Sequence, residues 1–63
     1  MQANLQNLRR LTLKEVEKIV KFKKSKIYKK IKEGTFPRPH HDGRNAFWFE
    51  ADILNYLSKF KHN

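Results

Sequence analysis

The stretch Gly34-Thr35-Phe36-Pro37-Arg38-Pro39 divides the chain into two parts that must be built differently. Neither proline donates a backbone hydrogen bond, and each pushes the residue before it into extended space, so no helix runs through. Helical structure upstream has to stop by Gly34, which supplies the left-handed conformation of a helix end. The whole chain has only 63 residues, enough for one domain. Ordering it costs on the order of 60–120 kcal/mol of backbone entropy, so most apolar side chains are needed for packing. Five Phe, two Tyr and one Trp supply much of the buried area. Few remain to line a catalytic cavity. There is no cysteine, hence no disulfide, no thiolate zinc site and no cysteine nucleophile.

Upstream of the break, Thr12 and Glu15 form a capping-box pattern, flanked by Leu11 and Val16 at the spacing of a hydrophobic staple. Leu13, Val16, Ile19 and Val20 then recur at helical spacing, which predicts a first helix from about Leu13 to Ile19. A second helix is expected from Ser25 or slightly earlier to Glu33, pinned by Ile27 and Ile31. Ser25, Lys26, Lys29, Lys30 and Glu33 fall on its opposite face, and Tyr28 lies on a flank. The short connection over Val20–Lys24 suits a helix-turn-helix angle.

Downstream, Asp42-Gly43 signals a two-residue hairpin turn, with His40-His41 before it and Arg44 through Phe49 after it. Alternation places Ala46 and Trp48 on one face and Phe47 and Phe49 on the other. A third helix is expected over Glu50–Phe60, presenting Ile53, Leu54, Leu57 and Phe60. The expected core is Leu13, Val16, Ile19, Ile27, Ile31, Trp48, Ile53, Leu54 and Leu57, with Phe47 and Phe49 covered by Leu5, Leu8 or Phe22. The fold class is thus mainly α with a small β-hairpin. One domain occupies residues 8–60, preceded by a loose arm over residues 1–7 and followed by a frayed tail over residues 61–63.

Charge narrows the function. Fifteen Lys and Arg face six Asp and Glu, a net charge of +9. Seven of the twelve residues from Lys21 to Lys32 are Lys, with no acid among them. A single-sign field of this density calls for a polyanion: nucleic acid, an anionic membrane or an acidic protein. The runs Ala46–Phe49 and Ile53–Leu54 are too short to span a bilayer, and the second helix shows no large apolar face for a membrane surface. No signal-peptide pattern follows Met1, so an intracellular, cytoplasmic location is expected.

The order of these parts resembles the small winged helix-turn-helix regulators of prophages, of the AlpA type, and the phage excisionases. The residues that carry the likeness are Leu13-x-x-Val16, Ser25-Lys26-Ile27-Tyr28-Lys29, Ile31-Lys32-Glu33-Gly34-Thr35-Phe36-Pro37, Asp42-Gly43-Arg44, Trp48 and Ile53-x-x-Tyr56-Leu57, together spanning nearly all of Leu8 to Leu57. The resemblance implies three helices with a two-stranded wing, and binding to double-stranded DNA. The second helix would enter the major groove and the wing would reach the adjacent minor groove or phosphates. Carried over, the helical contacts fall on Lys24, Ser25, Lys26, Tyr28, Lys29 and Lys30, and the wing contacts on His41, Gly43, Arg44 and Asn45. The role implied is transcriptional regulation, excision as a recombination directionality factor, or both. Partners would include further copies along the DNA and an integrase or recombinase. Two positions depart from the pattern: Lys21 stands where a turn glycine is usual, and Lys23 where a Ser or Thr cap is usual. The second helix is therefore either capped later, by Ser25, or begins uncapped.

Individual residues carry competing readings. Ser25 suits a helix cap as well as a DNA contact, and Tyr28 suits core packing as well as a phosphate hydrogen bond. Arg38, held stiffly between two prolines, is a further candidate for the DNA backbone. Arg9 and Arg10 read as part of a solvated arm, with supplementary binding from that arm as the alternative. His40 and His41 are adjacent in a strand and point to opposite faces, which argues against a shared metal ion. Ser25 has no His base in the motif order, so no enzyme, cofactor or small-molecule substrate is expected. The rival readings are a basic RNA-binding protein and a regulator docking on an acidic protein.

Overall fold

The computed structural model describes residues 8–61. The elements run β1 (Arg10–Leu11), α1 (Leu13–Val20), α2 (Lys24–Glu33), β2 (His40–Asp42), β3 (Asn45–Phe49) and α3 (Glu50–Ser58). The fold is mainly helical with a small antiparallel sheet, compatible with a winged helix. The expected arm over residues 1–7 and the last two residues of the tail lie outside the described residues.

Helix α1 starts at the capping box: Thr12 Oγ1 accepts from the Glu15 amide at 3.1 Å, and the Glu15 carboxylate accepts from the Thr12 amide at 2.8 Å. It ends at Lys21, whose φ of 65° is left-handed and whose amide donates to the Glu17 carbonyl at 2.9 Å. The turn has the glycine-type backbone without the glycine, at a cost of roughly 1 kcal/mol or more. Helix α2 begins with Lys23 as N-cap and no side-chain hydrogen bond there, so the uncapped alternative holds and Ser25 lies inside the first turn. Its end is as read: Gly34 has φ 83°, and the Thr35 amide reaches back to the Lys30 carbonyl at 2.9 Å.

The core comprises Leu11, Val16, Val20, Ile27, Phe36, Trp48, Ile53 and Tyr56, with Leu13, Phe22, Ile31 and Leu57 packed around it. Trp48 is fully buried, and its indole Nε1–H donates to the Pro37 carbonyl at 2.9 Å. That bond ties the proline segment to the hairpin, while the Phe36 ring tilts against Tyr56 with centroids 4.7 Å apart. The Phe-Pro break is therefore a packed crossing between the two halves of the chain. Two expected core residues are on the surface: Ile19 is 39% exposed and Leu54 is 53% exposed. Each lies beside the stripe that packs, Val16–Val20 in α1 and Ile53–Tyr56 in α3, and a body this small covers only a narrow stripe. Helix α3 also ends earlier than Phe60, tightening after Ser58 into three-residue turns, with Phe60 N–H donating to the Leu57 carbonyl at 3.0 Å. Phe60 is exposed, its ring set T-shaped to Tyr56 with centroids 5.2 Å apart.

The sheet has the order β1-β3-β2, all antiparallel. Strand β1 is an addition to the expected wing: it pairs Arg10 with Phe49 and Leu11 with Trp48. The Glu50 amide donates to the Arg9 carbonyl at 2.8 Å, extending the contact. Arg9 and Arg10 are thus structural, not part of a solvated arm. Arg9 pairs with Glu50 at 3.2 Å and Arg10 with Asp42 at 3.1 Å. Hairpin register corrects the turn by one residue. Asp42 pairs with Asn45, which leaves Gly43 and Arg44 as the two-residue loop. Gly43 has φ 63° and Arg44 is outside the left-handed region, the arrangement of a Gly-first type II′ turn.

Phe47 and Phe49 lie on the sheet face away from Trp48, half-buried. Their cover is local and polar. His40 stacks on Phe47 at 5.5 Å and tilts on Phe49 at 5.0 Å, and the Arg10 guanidinium sits 4.3 Å over the Phe47 ring. Leu8 is 53% exposed and Phe22 packs elsewhere, so neither plays the expected covering role. Leu5 lies outside the described residues.

Candidate nucleic-acid interface

Helix α2 is fixed by a single fully buried side chain, Ile27, with Ile31 half-buried one turn on. Everything opposite that stripe is free to face a partner. Ser25, Lys26, Lys29, Lys30 and Glu33 line one open, shallow depression on its outer side. Lys24 is exposed at the start of the helix, and Tyr28 is 38% exposed on the flank, which decides against a core role for its ring.

Electrostatics separate this surface from the rest. The acids that make ion pairs, Glu15, Glu50, Asp42 and Asp52, are taken by Arg9, Arg10 and His40. Among the described residues no lysine from Lys21 to Lys32 has a carboxylate within salt-bridge distance. The first turn of α2 carries no acid either. Its cations therefore outnumber the one acid on that side, Glu33, and none is drawn into a direct ion pair among the described residues.

The hairpin supplies a second exposed surface. Gly43 and Arg44 form its tip, Asn45 closes it opposite Asp42, and His41 pairs across to Ala46. Arg38 is exposed in the extended segment between the prolines. The two surfaces share one support: β3 packs on α1 and α3, and α2 packs on α1. The structure thus groups Ser25, Lys26, Lys29 and Lys30 on one strip and Gly43, Arg44 and Asn45 at one tip, with Arg38 in neither cluster.

His40 and His41 are neighbours in β2, His40 on the Phe47–Phe49 side and His41 opposite Ala46. Among the described residues no group of three or more His, Cys, Asp or Glu is placed to hold a metal ion. No described helix is long and apolar enough to cross a membrane.

Two residues make contacts here that the sequence did not indicate. Phe22, in the turn before α2, lies beneath the ammonium groups of Lys26 and Lys30, at 4.4 and 5.5 Å from its ring centroid. Its position four residues before Lys26 is the only signal in the sequence. Arg10 braces the hairpin from β1 through Asp42 and Phe47, and nothing local to Arg10 marks it.

Three helices, one of them rich in lysine with no acid before its last residue, and a glycine-tipped hairpin define a small basic protein of the winged helix-turn-helix class. Residues 9–60 match the family model of the prophage CP4-57 regulatory protein (AlpA), and the chain belongs to that family. No curated protein and no solved structure matches it.

Proposed function

We propose that the protein binds double-stranded DNA as a prophage regulator, with α2 in the major groove and the hairpin tip on the adjacent minor groove or backbone. The observation that carries this reading is the lysine strip of α2, with Lys24, Lys26 and Lys29 exposed and Lys30 half-buried, and none at salt-bridge distance from a carboxylate among the described residues. Lys24, Lys26, Lys29 and Lys30 supply phosphate attraction and Ser25 a hydrogen bond near the helix start, with Tyr28 reaching a phosphate from the flank. No Arg, Asn or Gln occurs in α2 to make a bidentate base contact, so selectivity draws on DNA shape and on the wing. Arg44, at the turn itself, is the side chain best placed to enter a narrow minor groove, with His41, Gly43 and Asn45 beside it and Arg38 on the backbone.

A single module of this size has a small footprint, so several copies on one DNA segment would raise the affinity. Such an assembly shapes DNA for a polymerase or, in an excisionase role, for an integrase. Competition between duplex DNA and single-stranded RNA of equal length tests the reading. Duplex should win, because the Phe47–Phe49 face is already occupied by Arg10 and His40 and offers little area for base stacking. RNA displacing duplex at equal concentration would overturn the assignment.

A further inference from the structure

Lys26 and Lys30 stand one turn apart on α2, and like charges at that spacing repel. No carboxylate within salt-bridge distance relieves them among the described residues. What lies against both is an aromatic face. The Lys26 Nζ is 4.4 Å and the Lys30 Nζ 5.5 Å from the centroid of Phe22. Phe22 belongs to neither helix: it sits between left-handed Lys21 and the N-cap Lys23, half-buried, and packs on the core. Its ring is consequently fixed by the body of the protein, while the lysines it attracts belong to the strip proposed to meet DNA. A free lysine side chain has several rotatable bonds to freeze on binding, and a cation held over a ring has already lost much of that freedom.

We propose that Phe22 is a positioning residue of the DNA interface, gathering the Lys26 and Lys30 ammonium groups over one ring and presenting them to the phosphate backbone as a pre-ordered pair. This rests on the DNA-binding reading. A phosphate approaching the pair meets two cations already directed from one turn, and it also relieves their mutual repulsion. Phe22 itself need not touch DNA.

The test compares Phe22→Leu, which keeps apolar bulk but removes the π face, with Phe22→Tyr, which keeps it. Thermal melts establish that both fold. Phe22→Leu should lower affinity for a duplex of fixed sequence by about three- to tenfold, and Phe22→Tyr should restore it. In a Lys26→Ala, Lys30→Ala background the Phe22→Leu loss should disappear, because nothing is left to position. The lysine side-chain methylene protons next to Nζ should show upfield ring-current shifts in the wild type and in Phe22→Tyr, and not in Phe22→Leu. Unchanged affinity in Phe22→Leu, or an equal loss in the double-alanine background, would overturn the proposal. Wild-type protein that shows the ring-current shifts but binds no duplex would instead overturn the DNA reading, and the interface role of Phe22 with it.

Discussion

The salt dependence of duplex binding follows directly from the lysine strip. Lys24, Lys26, Lys29 and Lys30 belong to α2 and Arg44 stands at the hairpin tip, giving five cations without a carboxylate at salt-bridge distance among the described residues. If each displaces counterion from one phosphate, log affinity against log salt has a slope of roughly −4.5, and doubling the salt weakens binding about 20-fold. Replacing Lys29 by Ala should flatten the slope by about one and weaken binding to all sequences alike. Arg44→Ala should flatten it similarly and, in addition, relax preference for narrow-groove flanks. Fluorescence anisotropy with a labelled duplex over a salt series measures the slope, and exchanging the flanks measures the preference. A wild-type slope shallower than about −2 would refute the assignment of the lysines as the binding surface.

Other consequences concern stability and are read by circular dichroism melts. Trp48→Ala removes a fully buried side chain and its bond to Pro37, and should cost roughly 3–5 kcal/mol, enough to unfold most of so small a domain, whereas half-buried Phe47→Ala should cost clearly less. Ile53→Ala should cost about 2–5 kcal/mol and Leu54→Ala under about 0.5, although the two are adjacent and both aliphatic. Lys21→Gly relieves the left-handed turn and should stabilise the fold by about 0.5–1 kcal/mol; a lower melting temperature would contradict the strain. The Thr12 amide donating to its carboxylate holds Glu15 below its ordinary 4.5. Its stabilising effect is therefore complete above that value and is lost as pH falls through the lower, folded-state value. Glu15→Gln should lack this part of the acid-side decline, and parallel melting curves for the two proteins from about pH 5 to 3 would contradict the capping role.

Most elements were legible because their signals are local. The Thr12–Glu15 box, the Ile27–Ile31 stripe closed by Gly34, and the turn before Trp48 each lie within a few residues of what they determine. Strand β1 was not, since two residues have no period and Arg10-Leu11 becomes a strand only by meeting Phe49 and Trp48. The hairpin slipped by one because Asp42-Gly43 and Gly43-Arg44 are both acceptable loops, and pairing of Asp42 with Asn45 decides between them. Ile19 and Leu54 were read into the core because spacing reports a helix face but not how much of it a partner reaches. At the site, the lysine strip was visible in the order of residues. The ring beneath it was not, since Phe22 approaches Lys26 through a turn whose left-handed Lys21 the sequence disfavours.

The placement of β3 between β1 and β2 bears on how the protein is made. Leu11 pairs with Trp48, so the first strand is completed by a residue that leaves the ribosome long after it. Helices α1 and α2 emerge first, but β3, which packs on α1, is not yet there. The lysine helix is therefore synthesised before the core that holds it in place exists. A chain stalled before β3 would display the lysine charge without the shape that carries it. Only when the Trp48 segment is free of the ribosomal tunnel do the indole and Leu11 close the core. Cooperative folding of the Leu11 and Trp48 segments thus makes the emergence of β3, not the synthesis of α2, the moment at which the lysine helix acquires its support.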